Sequence, residues 1–304
     1  MRPAFSPNLK IEVTLSYLAT GNSYRSLQQL FRVPKTAISS FIPEVCEVLY
    51  TSLQEQIKIP ECHDRWKTIE KGFRYCWNFP GCYGAIDGKH VHIRAPEHCG
   101  STFLNYIYIK KKTNSIVLFA LVDHDYHFIY IDVGSNGPVS ASKVFQRCSL
   151  VDALERGLLP KDGVIIGDDA FPLKEYLMKP YGGQSLQVDE KVFNYRLLRA
   201  RHLVENAFGI LVRTNDKIVC AACALHNFLR NKSPKTCIPR ASVNIEAFYL
   251  GCTIEGSRRK ETNGLQSVSR VGSHQQTKNA KVKREAYIRY FVNEGAVDWQ
   301  NKML

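Results

Sequence analysis

One stretch of the chain decides the fold: Tyr83-Gly-Ala-Ile-Asp-Gly-Lys-His-Val-His-Ile93. Its length and apolar content predict a β-strand that carries a carboxylate, Asp87, where the apolar run ends. Two further strand-sized runs follow, Ser115 to Asp123 and His127 to Val133. The polar residues Asp123 to Tyr126 have the length of a hairpin link between these two runs. The first half of the core is therefore predicted to be three consecutive strands.

The second half of the core combines helical patterns with one short strand. Helical spacing of apolar residues covers three ranges: Val139 to Leu154, Leu197 to Leu211 and Ile218 to Leu229. The short buried strand is Gly163-Val-Ile-Ile-Gly167. Three strands, a helix, a fourth strand and a later helix form the order of an RNase H-like core, whose mixed sheet has helices packed on its faces. We predict an α/β fold of this kind over residues 83–230.

Three carboxylates are the candidate catalytic residues of this core. Asp87 and Asp168 each follow an apolar strand, and Glu205 lies on a helix among Leu203, Val204 and Phe208. They are separated by 81 and then 37 positions (87 to 168, 168 to 205), so they converge only if the two strands are neighbours and the helix crosses them. Three carboxylates at one place repel each other unless cations neutralise them.

Oxygen ligands of this kind favour hard ions, so the pattern predicts a site for Mg²⁺ or Mn²⁺ with Asp87, Asp168 and Glu205 as metal ligands. Two such ions about 3.5–4 Å apart can activate water and stabilise a leaving oxygen at phosphorus. The alternative is that all three are ordinary polar residues at the ends of elements, because Asp-Gly is common in turns and Glu205 could face solvent.

The N-terminal residues 1–56 are predicted to form three helices. The third begins after Pro34 with Lys35-Thr-Ala-Ile-Ser-Ser40, and Lys35, Thr36 and Ser39 have the chemistry of a recognition helix that contacts DNA. A helix-turn-helix-like module and a plain three-helix packing module both fit this pattern. Residues 57–82 are predicted to be a connector, and residues 231–304 a basic, partly flexible tail with a terminal helix near Ala286 to Phe291.

Composition sets the class of partner. The formal net charge is +13, which favours polyanions such as nucleic acid. The longest apolar runs are strand-sized, and the ten cysteines lack the paired spacing of a disulfide scaffold. Cys220-x-x-Cys223 could belong to a zinc site, but the buried face of a helix is the favoured interpretation since a second ligand pair is not evident. No P-loop, Rossmann fingerprint, G-x-S-x-G or H-E-x-x-H motif occurs, which disfavours nucleotide hydrolysis, hydride transfer and zinc proteolysis.

Long motifs resemble the PIF/Harbinger transposase family, including Harbinger transposase-derived nucleases. They are Gly84-Ala-Ile-Asp-Gly-Lys-His90, Ile166-Gly-Asp-Asp-Ala-Phe-Pro-Leu173 and Phe193-Asn-Tyr-Arg-Leu-Leu-Arg-Ala-Arg-His-Leu-Val-Glu-Asn-Ala-Phe-Gly209. The resemblance implies a DDE endonuclease that cleaves DNA phosphodiester bonds with Mg²⁺ or Mn²⁺. It maps the catalytic triad onto Asp87, Asp168 and Glu205, with Asp169 as a less favoured neighbour. It also implies residence in the nucleus, with the cytoplasm as a second compartment, and a Myb-like DNA-binding partner.

Three departures from the family pattern bear on activity. Ala141 stands where the family normally has an aspartate, and residues 211–216 link two helices with fewer residues than the family uses. The segment Ile107 to Thr113 is longer than usual. The alternative function is therefore a catalytically inactive, transposase-derived DNA-binding or adaptor protein.

Four cations or potential cations lie near the predicted triad. His90 and His92 share one face of the first strand, where a hydrogen-bonded structural role is favoured over contact with metal or phosphate. Lys89 is a candidate DNA contact, with a solvated lysine as the alternative. Arg201 lies one turn before Glu205, so it could orient that carboxylate or hold a phosphate oxygen.

Overall fold

The structure is a computed structural model of the chain. It describes residues 4–93, 104–105, 113–136, 138–183, 185–209, 216–233, 245–247, 252–254, 265–267 and 276–304.

The N-terminal part contains the three expected helices. They are α1 (Pro7–Thr20), α2 (Tyr24–Phe31) and α3 (Lys35–Leu53), with a 3₁₀ turn at Gln54–Gln56. Ser23 caps α2 by accepting a hydrogen bond from the Ser26 amide, as its position before the helix predicts. Gly21 ends α1 at φ 66°, a left-handed conformation that favours glycine. The three helices pack around Val13, Leu27 and Ile38, which are fully buried.

A helix, α4 (His63–Cys76), lies within the segment that the sequence predicts as a connector. Trp66, Ile69 and Phe73 form its buried stripe at spacings of three and four residues. The stripe is a helical signal, but Pro60 and Pro80 on its two sides are typical of irregular chain. The α4 helix packs against the first strand of the sheet, so this part of the connector belongs to the core.

A mixed sheet forms the centre of the protein, and the prediction of an α/β fold with helices against the sheet is confirmed. Its strands are β1 (Cys82–His92), β2 (Leu104–Asn105), β3 (Thr113–Val122), β4 (Phe128–Asn136), β5 (Val164–Ile166) and β6 (Leu177–Met178). The order is β2-β3-β1-β5-β6, with β4 paired to β3. β1 is antiparallel to β3 and parallel to β5, so it is an interior strand that is buried along most of its length.

The helices that follow the sheet differ in their limits from the sequence prediction. The helical stretch expected from Val139 to Leu154 is divided into α5 (Ala141–Arg147) and α6 (Ser149–Glu155), because Cys148 has an extended backbone. The long helix α7 (Val188–Gly209) begins nine residues before the predicted Leu197, and α8 spans Asp216–Lys232.

The C-terminal part contributes to the sheet and to its cover. β7 (Ile245–Ala247) pairs with β8 (Cys252–Ile254), whereas β9 (Leu265–Ser267) adds antiparallel to β1 at Lys89 to Val91. The α9 helix (Lys278–Val292) packs on α7 and begins eight residues before the expected Ala286. A 3₁₀ turn, Gln300–Met303, follows.

Two packed clusters share α8. The main core surrounds the sheet and includes Phe119, Phe145 and Phe171, whose rings lie within 6.1 Å of each other. The N-terminal cluster contains Ile218 and Ala221 of α8 in addition to the buried residues of α1 to α3. The N-terminal helices are therefore packed onto the core through α8. Within the described part of the chain, no helix combines the length and the apolar content that crossing a membrane requires.

His226 of α8 is a buried histidine at the turn between β3 and β4. Its Nε2 donates to the Tyr126 carbonyl at 2.9 Å, and its Nδ1 has no hydrogen-bond partner among the described residues. Burial lowers the pKa of His226 from 6.5 to about 4, and the nearby His127 and Arg230 act in the same direction. The folded state therefore keeps this ring neutral at pH values where an unfolded chain protonates it.

We predict that His226 makes the protein less stable as the pH falls from about 6.5 to 4. Its stabilising contribution is complete above pH 6.5, because there neither state binds the proton. At pH 4.5 wild type should have lost about 2–3 kcal/mol of unfolding free energy relative to His226→Gln, which retains a donor for Tyr126. Urea unfolding of both proteins at pH 7.5 and 4.5 measures the difference. Equal losses in the two proteins would show that His226 titrates normally in the folded state.

Candidate active site

Strand register places two of the three predicted catalytic carboxylates side by side. β1 and β5 are parallel, with Ala85 paired to Ile166. Asp87 and Asp168 each lie two residues beyond this pair, so the alternation of side chains directs both to the same face. Asp87 remains within β1, whereas Asp168 lies just beyond the end of β5. The charge of Asp87 accordingly raises the pKa of the Asp168 carboxyl, in addition to the larger effect of burial.

The α7 helix brings Glu205 and Arg201 to the same place. Arg201 Nη1 donates to Asp87 Oδ2 at 3.2 Å, and Nη2 of the same guanidinium forms a short ion pair with Glu205 Oε1. Arg201 and Glu205 are four residues apart, one helical turn, and therefore lie on the same side of α7. The Arg201 side chain is only 5% exposed, so this contact between helix and sheet is shielded from solvent.

Burial disfavours the ionised forms of the two aspartates. The pKa of Asp87 is raised, chiefly by burial, while Arg201 and Lys89 act in the opposite direction. The pKa of Asp168 is raised to about 6 by burial and then by the charge of Asp87, although Arg201 partly compensates. A further positive charge placed at the cluster would lower both pKa values and stabilise the ionised forms.

Short backbone contacts fix the orientation of each aspartate. Asp87 Oδ1 accepts from the amide of Gly88 at 2.8 Å, and Asp168 Oδ1 accepts from the amide of Ala170 at 3.0 Å. At Gly167 a Cβ would lie 2.9 Å from the ring of Phe171 and 3.1 Å from the side chain of Ile86. Glycine at this position therefore permits the close approach of the turn after β5 to β1.

Lys179 is a residue at this site that the sequence analysis did not identify. It follows β6, which is parallel to β5, so its position is at the same edge of the sheet as Asp168. Its Nζ donates to the Asp169 carbonyl at 2.9 Å, and its side chain is 6% exposed. Burial lowers the pKa of Lys179, partly offset by the negative charges of Asp169 and Asp168. A lysine directly after the apolar pair Leu177-Met178 was the available signal.

The chemistry of the three carboxylates fits a hard divalent cation, since each supplies oxygen ligands. Among the residues that the structure describes, however, no three Asp, Glu, His or Cys side chains lie close enough together to hold a metal ion. The cation between Asp87 and Glu205 in this structure is the guanidinium of Arg201. The three carboxylates are therefore suitable ligands for a hard cation, and in this structure Arg201 links Asp87 and Glu205 through ion pairs.

The other residues predicted near the triad have different surroundings. His90 is fully buried, and its Nδ1 shares a hydrogen bond with the Ser115 hydroxyl at 3.2 Å. Burial lowers the pKa of His90 to about 4, so this ring is neutral at pH 7 and its hydrogen bond with Ser115 is a structural one. Lys89 is half-buried, and its positive charge lowers the pKa of Asp87. The proposed DNA contacts of α3, Lys35, Thr36 and Ser39, are all exposed and lie in its first turns.

Of the three departures from the family pattern, only Ala141 lies fully within the described residues. Ala141 is the first residue of α5 and is 4% exposed. Most of the shortened link, residues 210–215, and residues 106–112 lie outside the described residues. Cys220 and Cys223 lie on α8 as expected, with Cys223 fully buried, and burial raises the pKa of its thiol.

Comparisons with known proteins show what the chain is similar to. Residues 86–227 match the family model described as "DDE superfamily endonuclease", a range that contains Asp87, Asp168 and Glu205. "Putative nuclease HARBI1" of Rattus norvegicus is 23% identical over 245 residues, which cover 74% of this chain and 67% of that protein. The human protein of the same name is 24% identical over 241 residues, with the same coverage. "Protein ALP1-like" of Arabidopsis thaliana is 24% identical over 259 residues, 76% of this chain and 62% of its own length. No solved structure matches the chain significantly.

We predict that Asp168→Asn raises the stability of the metal-free protein at pH 8. The substitution removes the cost of burying a charge and the repulsion from Asp87, and it keeps an oxygen that can accept from the Ala170 amide. Since the raised pKa is about 6 and part of the side chain meets solvent, the gain should be about 1–2 kcal/mol. Denaturant unfolding in EDTA measures it, with Asp169→Asn as the matched control. A loss of stability in Asp168→Asn would contradict the repulsion between the two aspartates.

Proposed function

We propose that the protein is a divalent-metal-dependent DNA endonuclease of the Harbinger transposase-derived type, since residues 86–227 match the family model described as "DDE superfamily endonuclease". The observation that carries the proposal is the meeting of Asp87 and Asp168 on adjacent strands with Glu205 opposite them on α7. The fold alone does not assign this activity, because one fold hosts many activities. Three acids gathered where β1, the end of β5 and α7 meet, with Asp87 buried and Asp168 and Glu205 partly buried, are costly for stability and typical of a functional site.

In this proposal Asp87, Asp168 and Glu205 hold Mg²⁺ or Mn²⁺. When bound, a pair of such ions would supply an activated water and a stabilised leaving oxygen for hydrolysis of a phosphodiester bond. The chain itself orients the acids: the amides of Gly88 and Ala170 fix the two aspartates. Lys179 supports the turn that carries Asp168 by donating to the Asp169 carbonyl.

DNA is the proposed substrate on the basis of charge and family likeness. The net charge of +13 favours a polyanion through counterion release. We propose an RNase H-like core as the fold type, and the central strand, antiparallel to β3 and parallel to β5, is consistent with it. A Myb-like DNA-binding partner and residence in the nucleus stay predictions from the family resemblance.

We further propose that α1 to α3 act as a helix-turn-helix-like module. The apolar face of α3 is buried through Ile38, Phe41 and Ile42, which leaves Lys35, Thr36 and Ser39 exposed. Exposed polar residues in the first turns of the third helix are the groups that a recognition helix directs towards phosphates and base edges. A three-helix packing module that only supports α8 is the competing interpretation.

The catalytic proposal predicts metal-dependent cleavage that depends on the acids. Wild type should nick supercoiled plasmid DNA with Mn²⁺ or Mg²⁺ and not with EDTA, and Asp168→Asn should reduce the rate about 10²-fold or more. Asp152→Asn, in α6, is the matched control and should cleave as wild type does. Equal nicking by wild type and Asp168→Asn would overturn the assignment of the site.

Salt-sensitive DNA binding without cleavage would favour the inactive adaptor. The variant Ala141→Asp then distinguishes two cases, because it restores the acid that the family pattern carries at this position. A gain of nicking in this variant would indicate a damaged enzyme. Continued inactivity would favour the adaptor.

The helix-turn-helix proposal predicts that Lys35→Ala weakens DNA binding about 3–10-fold and reduces the slope of log K against log salt by about 1. The reason is the loss of one phosphate contact. Lys67→Ala, on the exposed side of α4, is the matched control. Fluorescence anisotropy with a DNA duplex at several salt concentrations measures both quantities. Identical affinity and slope in Lys35→Ala and wild type would favour the packing module.

A further inference from the structure

The guanidinium of Arg201 lies at the position where the predicted metal ligands meet. It contacts Asp87 of β1 through Nη1 and Glu205 of its own helix through Nη2. All three side chains are nearly inaccessible, with exposed fractions of 5%, 9% and 12% for Arg201, Asp87 and Glu205. The positive charge of Arg201 also lowers the pKa of Asp168, against the larger effect of burial. One buried cation therefore faces all three acids.

The same contact uses the ligand atoms that a metal ion would need. Asp87 Oδ2 and Glu205 Oε1 both accept from Arg201, and no described trio of acidic, histidine or cysteine side chains is close enough to share a metal ion. One guanidinium thus contacts both carboxylates. A metal ion and this guanidinium cannot occupy the same place between Asp87 and Glu205.

The ion pair is not completely satisfied within the described residues. Arg201 Nε is buried and has no hydrogen-bond partner there. A buried donor without a partner costs free energy, so the guanidinium has less to lose on leaving than a fully bonded one. Because Arg201 has a long side chain and lies one turn from Glu205, it can move away while the backbone of α7 stays in place.

We propose that Arg201 is a placeholder cation: it holds Asp87 and Glu205 in the metal-free protein and gives them up to a divalent ion. This inference rests on the proposed function, because it assigns a role within the same metal site. In the metal-free state Arg201 compensates part of the repulsion among the acids and so stabilises the fold. The binding of metal is then a replacement of one cation by another, and its apparent affinity is reduced by the population of the closed ion pair.

The test is the affinity for Mn²⁺ at pH 8, measured from the electron paramagnetic resonance signal of the free ion. Arg201→Gln removes the competing charge and should bind Mn²⁺ about tenfold or more tightly than wild type, although its metal-free form should melt at a lower temperature. Arg201→Lys keeps a competing charge and should stay close to wild type. Arg199→Gln is the matched control, since this α7 guanidinium donates to the Trp77 carbonyl and the Asn78 side chain. It should leave the affinity unchanged.

The outcomes separate this inference from the proposed function. Equal or weaker Mn²⁺ binding by Arg201→Gln, with wild type binding normally, would overturn the placeholder role and leave the metal site intact. Failure of wild type and all variants to bind Mn²⁺ would overturn both. A purely structural Arg201 predicts weaker binding in Arg201→Gln, because the ligands would lose their positions.

A measurement on wild type keeps the inference testable if Arg201→Gln does not fold. Nitrogen NMR of the arginine side chains should show the Arg201 guanidinium among those with slow rotation in EDTA, as a buried ion pair requires. Addition of Mg²⁺ should make rotation of this guanidinium as fast as that of exposed arginines, and Arg201→Lys assigns the signal by its disappearance. A guanidinium signal that remains slow at saturating Mg²⁺ would contradict the release of Arg201.

Discussion

The burial of acidic side chains where β1 meets α7 is the constraint on which the rest of the structure depends. An isolated carboxylate in such a place would be very costly, and a buried ion pair is tolerated only when its geometry and hydrogen bonds are good. Arg201 supplies the charge, and the amides of Gly88 and Ala170 supply further donors. The protein therefore stores unfavourable electrostatic energy at one site and compensates for it by the packing of the sheet and helices.

The surrounding elements hold this arrangement in place from several directions. α9 packs on the outer side of α7, and Arg196 of α7 donates to the Gly295 carbonyl and the Gln300 side chain. On the other side of the molecule, α8 connects the core to the N-terminal helices through Ile218 and Ala221. The C-terminal part adds β9 to β1 near Lys89. Segments distant in sequence thus converge on β1 and α7, the two elements that carry Asp87 and Glu205.

The sequence was sufficient for the strands and helices with clear periodicity. The β1, β3, β4 and β5 strands and the helices α1 to α3, α7 and α8 follow from apolar spacing, and the approach of Asp87 to Asp168 follows from their shared position after apolar runs. The α4 helix was missed because the Trp and Pro residues near it resemble a connector. The contact of β9 with β1 could not be predicted, because a three-residue strand forms only by pairing with its neighbour, and the paired residues Val91 and Leu265 are 174 positions apart. Lys179 and the bridging role of Arg201 depend on tertiary contacts that spacing does not encode.

Anomalous X-ray diffraction from crystals soaked in Mn²⁺ tests most directly whether Asp87, Asp168 and Glu205 form a divalent-metal site. We expect an anomalous peak within coordination distance of the Asp87 and Asp168 carboxylates. In the same map the Arg201 guanidinium should have moved away from Glu205. Anomalous peaks confined to surface carboxylates, with the Arg201 ion pairs intact, would show that the three acids do not hold the metal.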